Sequence, residues 1–573
     1  MEQPLTAKSQ QAEKLIWLFL GGWTLLNILQ ACTLELHPDE AYYWIYSRLL
    51  DWGYYDHPPM VALFIRAGYS LFKNEFGLRL LTVISSTLSL RILWLIVRQY
   101  HADALQFILV AGGMFVFHIY GFTTTPDAPL FFFTIVFYYL FQRYLKADSW
   151  QLAVWIGLTI SCLLYSKYHG VLIVVFTPLA NIKLLKRWSF WIIPVLATLL
   201  FLPHIFWQIN HDYPSLHYHL YERSSEVYNF ADTLSYLPGQ IVMAGPLVGW
   251  LLFYYATKTK VKDAFIRTLL VNGIATIVFF WINTFKGSVQ PHWTLIAFVP
   301  LTVLVLVYFQ QGNPPPRWFR YLAVCNIALI LLLRLAMIAQ LPILASYGHL
   351  RSYFGNAKWA NEIKKKAGNA YVIFPGNFQD PSWYCFYTHS LKGFAYDTRF
   401  YRRTQFDIWP IEDSLQHQQT YYITDRKQVN SPNEITINTP KGIFFLNSVN
   451  DTRTYQRIDI KSDKYTATAM PGQQVAFDLT IANPYPFPID FANTGQLHPV
   501  VLAASFIQNG NQPYAQRADT LVNRIKLKPG QKANYIFKLN APPKKGRYDL
   551  IFSLRTTPFP GGRNSRIINF TVQ

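Results

Sequence analysis

Runs of about twenty residues with almost no charge recur through the first 341 residues of this chain, and no other feature limits its fold so strongly. A bilayer core about 30 Å thick needs about 20 apolar residues per helix. The sequence offers eleven such spans, near 15–33, 76–97, 103–122, 128–145, 150–166, 169–184, 189–209, 237–256, 265–284, 291–309 and 318–341. Segment 61–73 (VALFIRAGYSLFK) is too short to cross and reads as interfacial. The first span follows Lys8 and Lys14 and shows no small-residue cleavage site, which predicts a retained anchor rather than a removed signal peptide.

Charge divides the chain. Residues 1–341 carry 23 Lys/Arg and 16 Asp/Glu, whereas residues 342–573 carry 28 and 15, so the second part has the higher charge density of an aqueous domain. At 17% aromatic and 14% charged residues the chain is too apolar for intrinsic disorder. Four cysteines, three of them in apolar runs (Cys32, Cys162, Cys325), define no disulfide framework. With the N-terminus cytoplasmic, the inner segments hold fourteen Lys/Arg and the longer outer loops six, the positive-inside pattern. An odd number of spans then places 342–573 outside the cytoplasm.

Three domains are expected: a transmembrane domain at 1–341, a small α/β domain at 342–450 and a β-sandwich at 451–573. The second mixes a helical stretch (AKWANEIKKKAG) with strand-like runs such as AYVIFPG and TYYITD. In the third, QVAFDLTIANP, VVLAASFIQNG, ANYIFKLNAP and RYDLIFSLRT alternate apolar and polar residues between Pro/Gly turns, which predicts an antiparallel, Ig-like sandwich of about seven strands. No repeat, Gly-rich nucleotide loop, CxxC zinc pattern or nucleic-acid motif occurs, and nucleic acid is not expected as a partner.

Ionisable groups gather at span ends on the outer side. The loop after the first span, LELHPDEAYYWIYSRLLDWGYYDHPPM, holds Asp39–Glu40 and then Tyr55–Asp56–His57 ahead of two prolines. TTTPDAPL sets Asp127 at the start of span 4, SKYHG sets Lys167 and His169 at the end of span 5, and FKGSVQPHW sets Lys286 and His292 after span 9. Charges beside a bilayer are costly and mark a site, a path or a tight ion pair. Each has a plainer reading: Asp127 as a helix cap, Lys167 and Lys286 as snorkelling cations, Asp39–Glu40 as a solvated pair. His211, His217 and His219 (HDYPSLHYH) have the residue type of metal ligands, but an aromatic-rich loop also carries His as polar surface. Arg79, Arg91 and Arg334 are the basic exceptions inside spans.

PDEAYYW, GYYDHPP, TPDAPL, YSKYHG, the FKG…HW segment and RRTQFDIWP together resemble the bacterial polyprenyl-phosphate-sugar glycosyltransferases. These share the GT-C fold with protein O-mannosyltransferases and with the aminoarabinose transferases that modify lipid A. The resemblance runs over about 1–425 and leaves the β-sandwich outside it. It implies an inverting glycosyltransferase of the bacterial cytoplasmic membrane. A sugar passes from a polyprenyl-phosphate carrier to a lipid A-like, glycan or protein acceptor at the outer face. It also implies roles for residues: Asp39 as base, Glu40 orienting an acceptor or a metal, Asp127 as second acid, and His57, Lys167 and Lys286 holding the donor phosphate. Tyr55, Asp56, His169 and His292 would line the substrate. Where the aminoarabinose branch has Lys in its KPP motif this chain has His57, so a fixed charge is missing there. No nucleotide is needed at that face; a divalent metal ion, with Glu40 and Asp127 as the candidate ligands, is left open. A transporter or flippase of the same lipid is the competing class, for which internal repeats and midplane charges are the expected signs.

Overall fold

In the computed structural model, which describes residues 7–219, 228–348, 350–397, 402–427 and 434–573 (the side chains of 7 and 8 excepted), the chain forms two compact units, Met1–Phe354 and Gly355–Gln573.

The first unit is helical. Its elements are α1 (Ala7–Thr33), α2 (Pro38–Arg48), α3 (Met60–Leu71), α4 (Glu75–Val97), α5 (Ala104–Ala111), α6 (Phe115–Ile119), α7 (Asp127–Lys146) and α8 (Trp150–Ser166). They continue with α9 (Gly170–Ala180), α10 (Trp188–Asn210), α11 (Pro214–His217), α12 (Phe230–Ala244), α13 (Gly249–Thr257), α14 (Ala264–Asn283), α15 (Leu295–Gln310) and α16 (Arg317–Ile338). Among the described residues seven helices are long and apolar enough to cross a bilayer: α1, α4, α7, α10, α14, α15 and α16. Large apolar side chains stand exposed along α10 (Trp191, Val195, Phe206) and α16 (Val324, Leu332, Leu335), as lipid-facing helices require. By contrast α15 is buried nearly all round.

Four expected spans take other forms. Those at 150–166 and 169–184 are helices of 17 and 11 residues, α8 and α9. The span at 103–122 breaks into α5 and α6 at Gly112–Gly113, and that at 237–256 bends by 93° between α12 and α13. A break inside a membrane frees backbone groups that must find partners within the protein. Asn326, fully buried on α16, supplies them at both places: its Nδ2 donates to the Gly113 carbonyl (2.9 Å), and its Oδ1 accepts from the Leu247 N–H (3.0 Å). Gly245 at the second break has φ +154°, a conformation that suits glycine.

A second buried polar group ties α16 to α1. Arg334 donates to Gln30 (2.5 Å) and Asn27 (2.7 Å) and faces His118 Nδ1 at 3.1 Å. The guanidiniums of Arg334 and Arg79 lie 5.5 and 5.6 Å from the centre of the Phe122 ring.

In the second unit β1 (Tyr371–Pro375), β2 (Gly393–Tyr396), β3 (Thr420–Thr424), β4 (Ile435–Thr439) and β5 (Gly442–Val449) form a sheet of order β2-β1-β3-β5-β4. β1 runs parallel to both β2 and β3; the other pairs are antiparallel. Helices α17 (Asn356–Ala367) and α18 (Gln379–Tyr387) carry its apolar cover, with Trp359 fully buried. The sandwich follows: β6 (Asp459–Ser462), β7 (Thr466–Ala469), β8 (Gln474–Ala482), β9 (Ile489–Asp490), β10 (Val500–Gln508), β11 (Asn511–Arg517), β12 (Lys526–Leu527), β13 (Lys532–Asn540), β14 (Gly546–Thr556) and β15 (Ile568–Val572). A sheet β11-β10-β14-β15-β7 faces β13-β8-β6 across a core of Phe477, Phe506, Phe537, Phe552 and Phe570. Among the described residues it has ten strands against the expected seven or so; two of the ten, β9 and β12, are two-residue strands too short to register as alternation. It is not wholly antiparallel either, since β15 pairs with β7 in parallel.

The α/β layer and the sandwich share this one unit through buried polar contacts. Glu412 accepts from Tyr485 Oη and Gln456 N (both 2.7 Å), and Arg457 pairs with Asp413 at 2.7 Å. Nearby, Asp397 accepts from Thr404 Oγ1 (2.8 Å), and burial together with the neighbouring Asp407 holds its carboxyl well above the usual carboxylate range.

Candidate functional site

The loops at one end of the helical bundle converge on four carboxylates, Asp39, Glu40, Asp56 and Asp127. The first element of that end is the N-terminus of α2, where Pro38 supplies a preset φ and Glu40 closes a capping box by accepting from the His37 N–H at 3.0 Å. Glu40 does more than cap. Arg79 of α4 grips it bidentately, Nε to Oε1 at 2.8 Å and Nη2 to Oε2 at 2.6 Å, with both side chains fully buried. Thr124 N of the TTTPD segment donates to Oε1 at 2.8 Å, and Arg79 donates its remaining hydrogens to the carbonyls of Ala31, Leu34 and Glu35. One carboxylate thus fastens α2, α4 and the Asp127 loop together.

Asp39, its neighbour, is left outside that knot. Its side chain is 39% exposed, 3.7 Å from His37 Nδ1. His37 Nδ1 also accepts from the Asp39 N–H at 3.3 Å. Asp127, at the first turn of α7, is 3% exposed. Lys167, the C-cap of α8, reaches both of its oxygens at 2.8 and 2.9 Å, and His292 Nε2 stands 3.9 Å away. Two buried tyrosines knit the acids into one field: Tyr43 feels the charges of Asp39, Asp56 and Asp127, and Tyr120 those of Asp127 and Asp39. Asp56 is itself buried and accepts from Tyr42 Oη (3.0 Å) and Tyr46 Oη (3.3 Å).

Basic groups face them. His169 lies within the fields of Lys167, His57, His219 and His292, its ring packed on Phe280 and Trp293. His57 packs edge-on to Tyr43 and lies 6.4 Å from the His219 ring, while buried Tyr55 meets Tyr218. The structure therefore brings together Asp39, Glu40, Asp56, Asp127, His57, Lys167, His169 and His292, with Tyr55 alongside. Lys286 stands apart. It is exposed in the turn after α14, and among the described residues no hydrogen bond or ion pair joins its side chain to the Asp127–Lys167 pair.

Glu40 has no free oxygen to orient an acceptor or bind a metal, because four N–H donors already occupy its two oxygens. Among the described residues no three His, Cys, Asp or Glu side chains converge as a metal site. Of the HDYPSLHYH histidines, His211 stacks on Trp207 and His217 is exposed. His219 instead belongs to this site, its Nε2 3.2 Å from the Asp56 carbonyl. Tyr43, Tyr120 and Arg79 are site residues that only three-dimensional proximity reveals; the tyrosines carry no spacing signal, and Arg79 shows only as a charge inside an apolar run.

Comparison with known proteins bears on this geometry. Residues 56–207 match the family model described as dolichyl-phosphate-mannose-protein mannosyltransferase. The lipid A galacturonosyltransferase RgtD of Rhizobium johnstonii is 24% identical over 378 residues, covering 62% of this chain and 78% of that protein. Two crystal structures of ArnT from Cupriavidus metallidurans superpose with a TM-score of 0.55. The apo form is 14% identical and the form bound to undecaprenyl phosphate 15%; each covers 77% of this chain and, respectively, 99% and 98% of its own. The resemblance read from PDEAYYW, GYYDHPP and TPDAPL is borne out in the fold, which is that of the GT-C transferases.

Proposed function

We propose that this relative of ArnT is an integral-membrane glycosyltransferase that takes a sugar from a polyprenyl-phosphate carrier and passes it to a lipid acceptor of the lipid A class. The single observation that carries the reading is the contrast between two adjacent acids. Glu40 is locked to Arg79, while Asp39 beside it is half-exposed and shares the surroundings of Tyr43 with Asp127, the partner of Lys167. A reaction that removes a proton from a hydroxyl and expels a phosphate asks for a free carboxylate on one side and cations on the other.

In this mechanism Asp39 accepts the proton of the acceptor hydroxyl as its oxygen attacks the anomeric carbon. The bond from that carbon to the phosphate oxygen breaks, its electrons staying with the phosphate, and one displacement inverts the anomeric centre. Lys167 and the imidazoles of His57, His169, His219 and His292 stabilise the charge that collects on the leaving phosphate. Asp127 pairs with Lys167 through both oxygens and offsets the cost of burying its charge. Glu40 and Arg79 hold the Asp39 and Asp127 segments at a fixed separation. Lys286, exposed and unanchored, suits capture of the carrier's phosphate as it approaches.

Charge bias supports a site at the outer face of the membrane and the unit Gly355–Gln573 outside the cytoplasm. Relatives support the substrate classes: RgtD is named for lipid A, and one ArnT structure holds undecaprenyl phosphate. The family model's description favours a protein hydroxyl as the second acceptor reading.

The test is transfer by the purified chain from a polyprenyl-phosphate sugar, with lipid A and a Ser/Thr peptide offered in parallel. Asp39→Asn should abolish transfer while membrane insertion stays normal. Near-normal transfer by that variant would remove Asp39 from the chemistry, and labelled peptide without labelled lipid would exchange the acceptor.

A further inference from the structure

His204 is an ionisable side chain in the middle of an apolar run, LLFLPHIFWQIN, and is 1% exposed on α10. Its Nδ1 lies 2.8 Å from the Trp52 carbonyl. A carbonyl can only accept, so the ring carries its hydrogen on Nδ1 and leaves Nε2 as an acceptor. The hydroxyl of Tyr168 fills that position at 3.0 Å. Gln208, one turn further along α10, donates to Tyr168 Oη (3.1 Å) and to Ser215 Oγ (2.8 Å), and Ser215 in turn donates to the Tyr54 carbonyl at 3.1 Å.

Both ends of this chain of bonds are informative. Trp52 and Tyr54 belong to the loop that two residues later presents Asp56 and His57. Tyr168 lies between Lys167 and His169 in the SKYHG segment. The loop also sits hard against α10: a Cβ on Gly53 would stand 2.4 Å from the Trp207 ring and 2.9 Å from His204 Nδ1. We propose that His204 is a positioning residue for sugar transfer, its imidazole setting the distance between the Lys167–Asp127 pair and the Asp56–His57 loop by bonding Tyr168 on one side and Trp52 on the other. The inference rests on the transferase reading above and adds a residue that touches neither substrate nor reacting atoms.

The experiment is a double-mutant cycle on the full chain in detergent, reading kcat and donor KM for transfer from a polyprenyl-phosphate sugar, with thermal unfolding as a separate readout. Tyr168→Phe removes one oxygen. His204→Asn keeps a donor where Nδ1 stands and loses the acceptor; His204→Gln keeps an acceptor where Nε2 stands. His204→Asn and Tyr168→Phe should each lower kcat by about 10-fold or more, since small misplacements of reacting groups carry penalties of this size. The double variant should be no slower than either single one, and His204→Gln should recover part of the rate. Additive losses, or unchanged kcat with only the unfolding temperature lowered, would make His204 a packing residue and leave the transferase reading standing. A wild-type chain that transfers nothing from the polyprenyl-phosphate donor overturns both.

Discussion

Glu40→Gln should destabilise the chain far more than a one-atom exchange suggests. Four donors meet two oxygens: Arg79 Nε and Thr124 N on Oε1, Arg79 Nη2 and His37 N on Oε2. The amide keeps one oxygen and sets an NH2 against the donors that met the other. It also leaves the Arg79 guanidinium, fully buried, without its anion. Removing one partner of a buried ion pair costs about 3–5 kcal/mol, because the remaining charge stays desolvated. At about 1.4 kcal/mol per decade this shifts the unfolding equilibrium roughly 10²- to 10⁴-fold. Reversible unfolding in mixed detergent micelles measures it, with Arg79→Met and the double variant completing a cycle. The double variant should recover at least half of the loss, since an apolar replacement of both partners leaves no stranded charge. A Glu40→Gln chain within about 1 kcal/mol of wild type, the range of exposed pairs, would refute the description of Glu40 as the fastening of three segments.

Further outcomes follow from other contacts. Lys167→Met should strand the buried Asp127 carboxylate and lose about 3–5 kcal/mol; adding Asp127→Asn should restore stability without restoring transfer at low donor concentration, and recovery of both would take Lys167 out of phosphate binding. Folded Asp397 binds its proton more tightly than the unfolded residue does, so its contribution to stability is present at acid pH. That contribution is lost as pH rises from about 4, the unfolded value, through the raised folded value. The stability difference between wild type and Asp397→Asn, followed by unfolding across pH, should therefore fall with rising pH; a flat difference contradicts the assignment. Gly53→Ala should lose about 1–3 kcal/mol through the clash with Trp207 and His204, and a thermal unfolding curve superposable on wild type would show that the loop has room to move.

Much of this was legible in the sequence because membranes write their constraints locally. A span is a run of apolar residues, sidedness is a count of loop charges, and Asp39, Asp56, Asp127 and Lys167 stand out because they interrupt or border such runs. Pairings between runs are not written that way. Arg79 reads as an exception within a span, and only the fold sets it against Glu40, 39 residues earlier. Lys167 and Lys286 look alike in sequence, each at a span end with a histidine close behind, yet one is buried on Asp127 and the other is exposed. His204 is lost in an apolar run because hydropathy averages it away. The split of 103–122 has a local sign, Gly112–Gly113, but a window as long as a span hides it.

The amide of Asn326 also sets a limit on how the bundle can move. It holds the Gly113 and Leu247 breaks, which lie 134 positions apart in the chain, on opposite ends of one planar group barely larger than a peptide bond. Neither interruption can act as an independent hinge: a displacement at one pulls the other or breaks a hydrogen bond with no water at hand to replace it. Amide exchange at the two breaks should consequently rise and fall together, as a single cooperative opening shared by α5, α6, α12, α13 and α16.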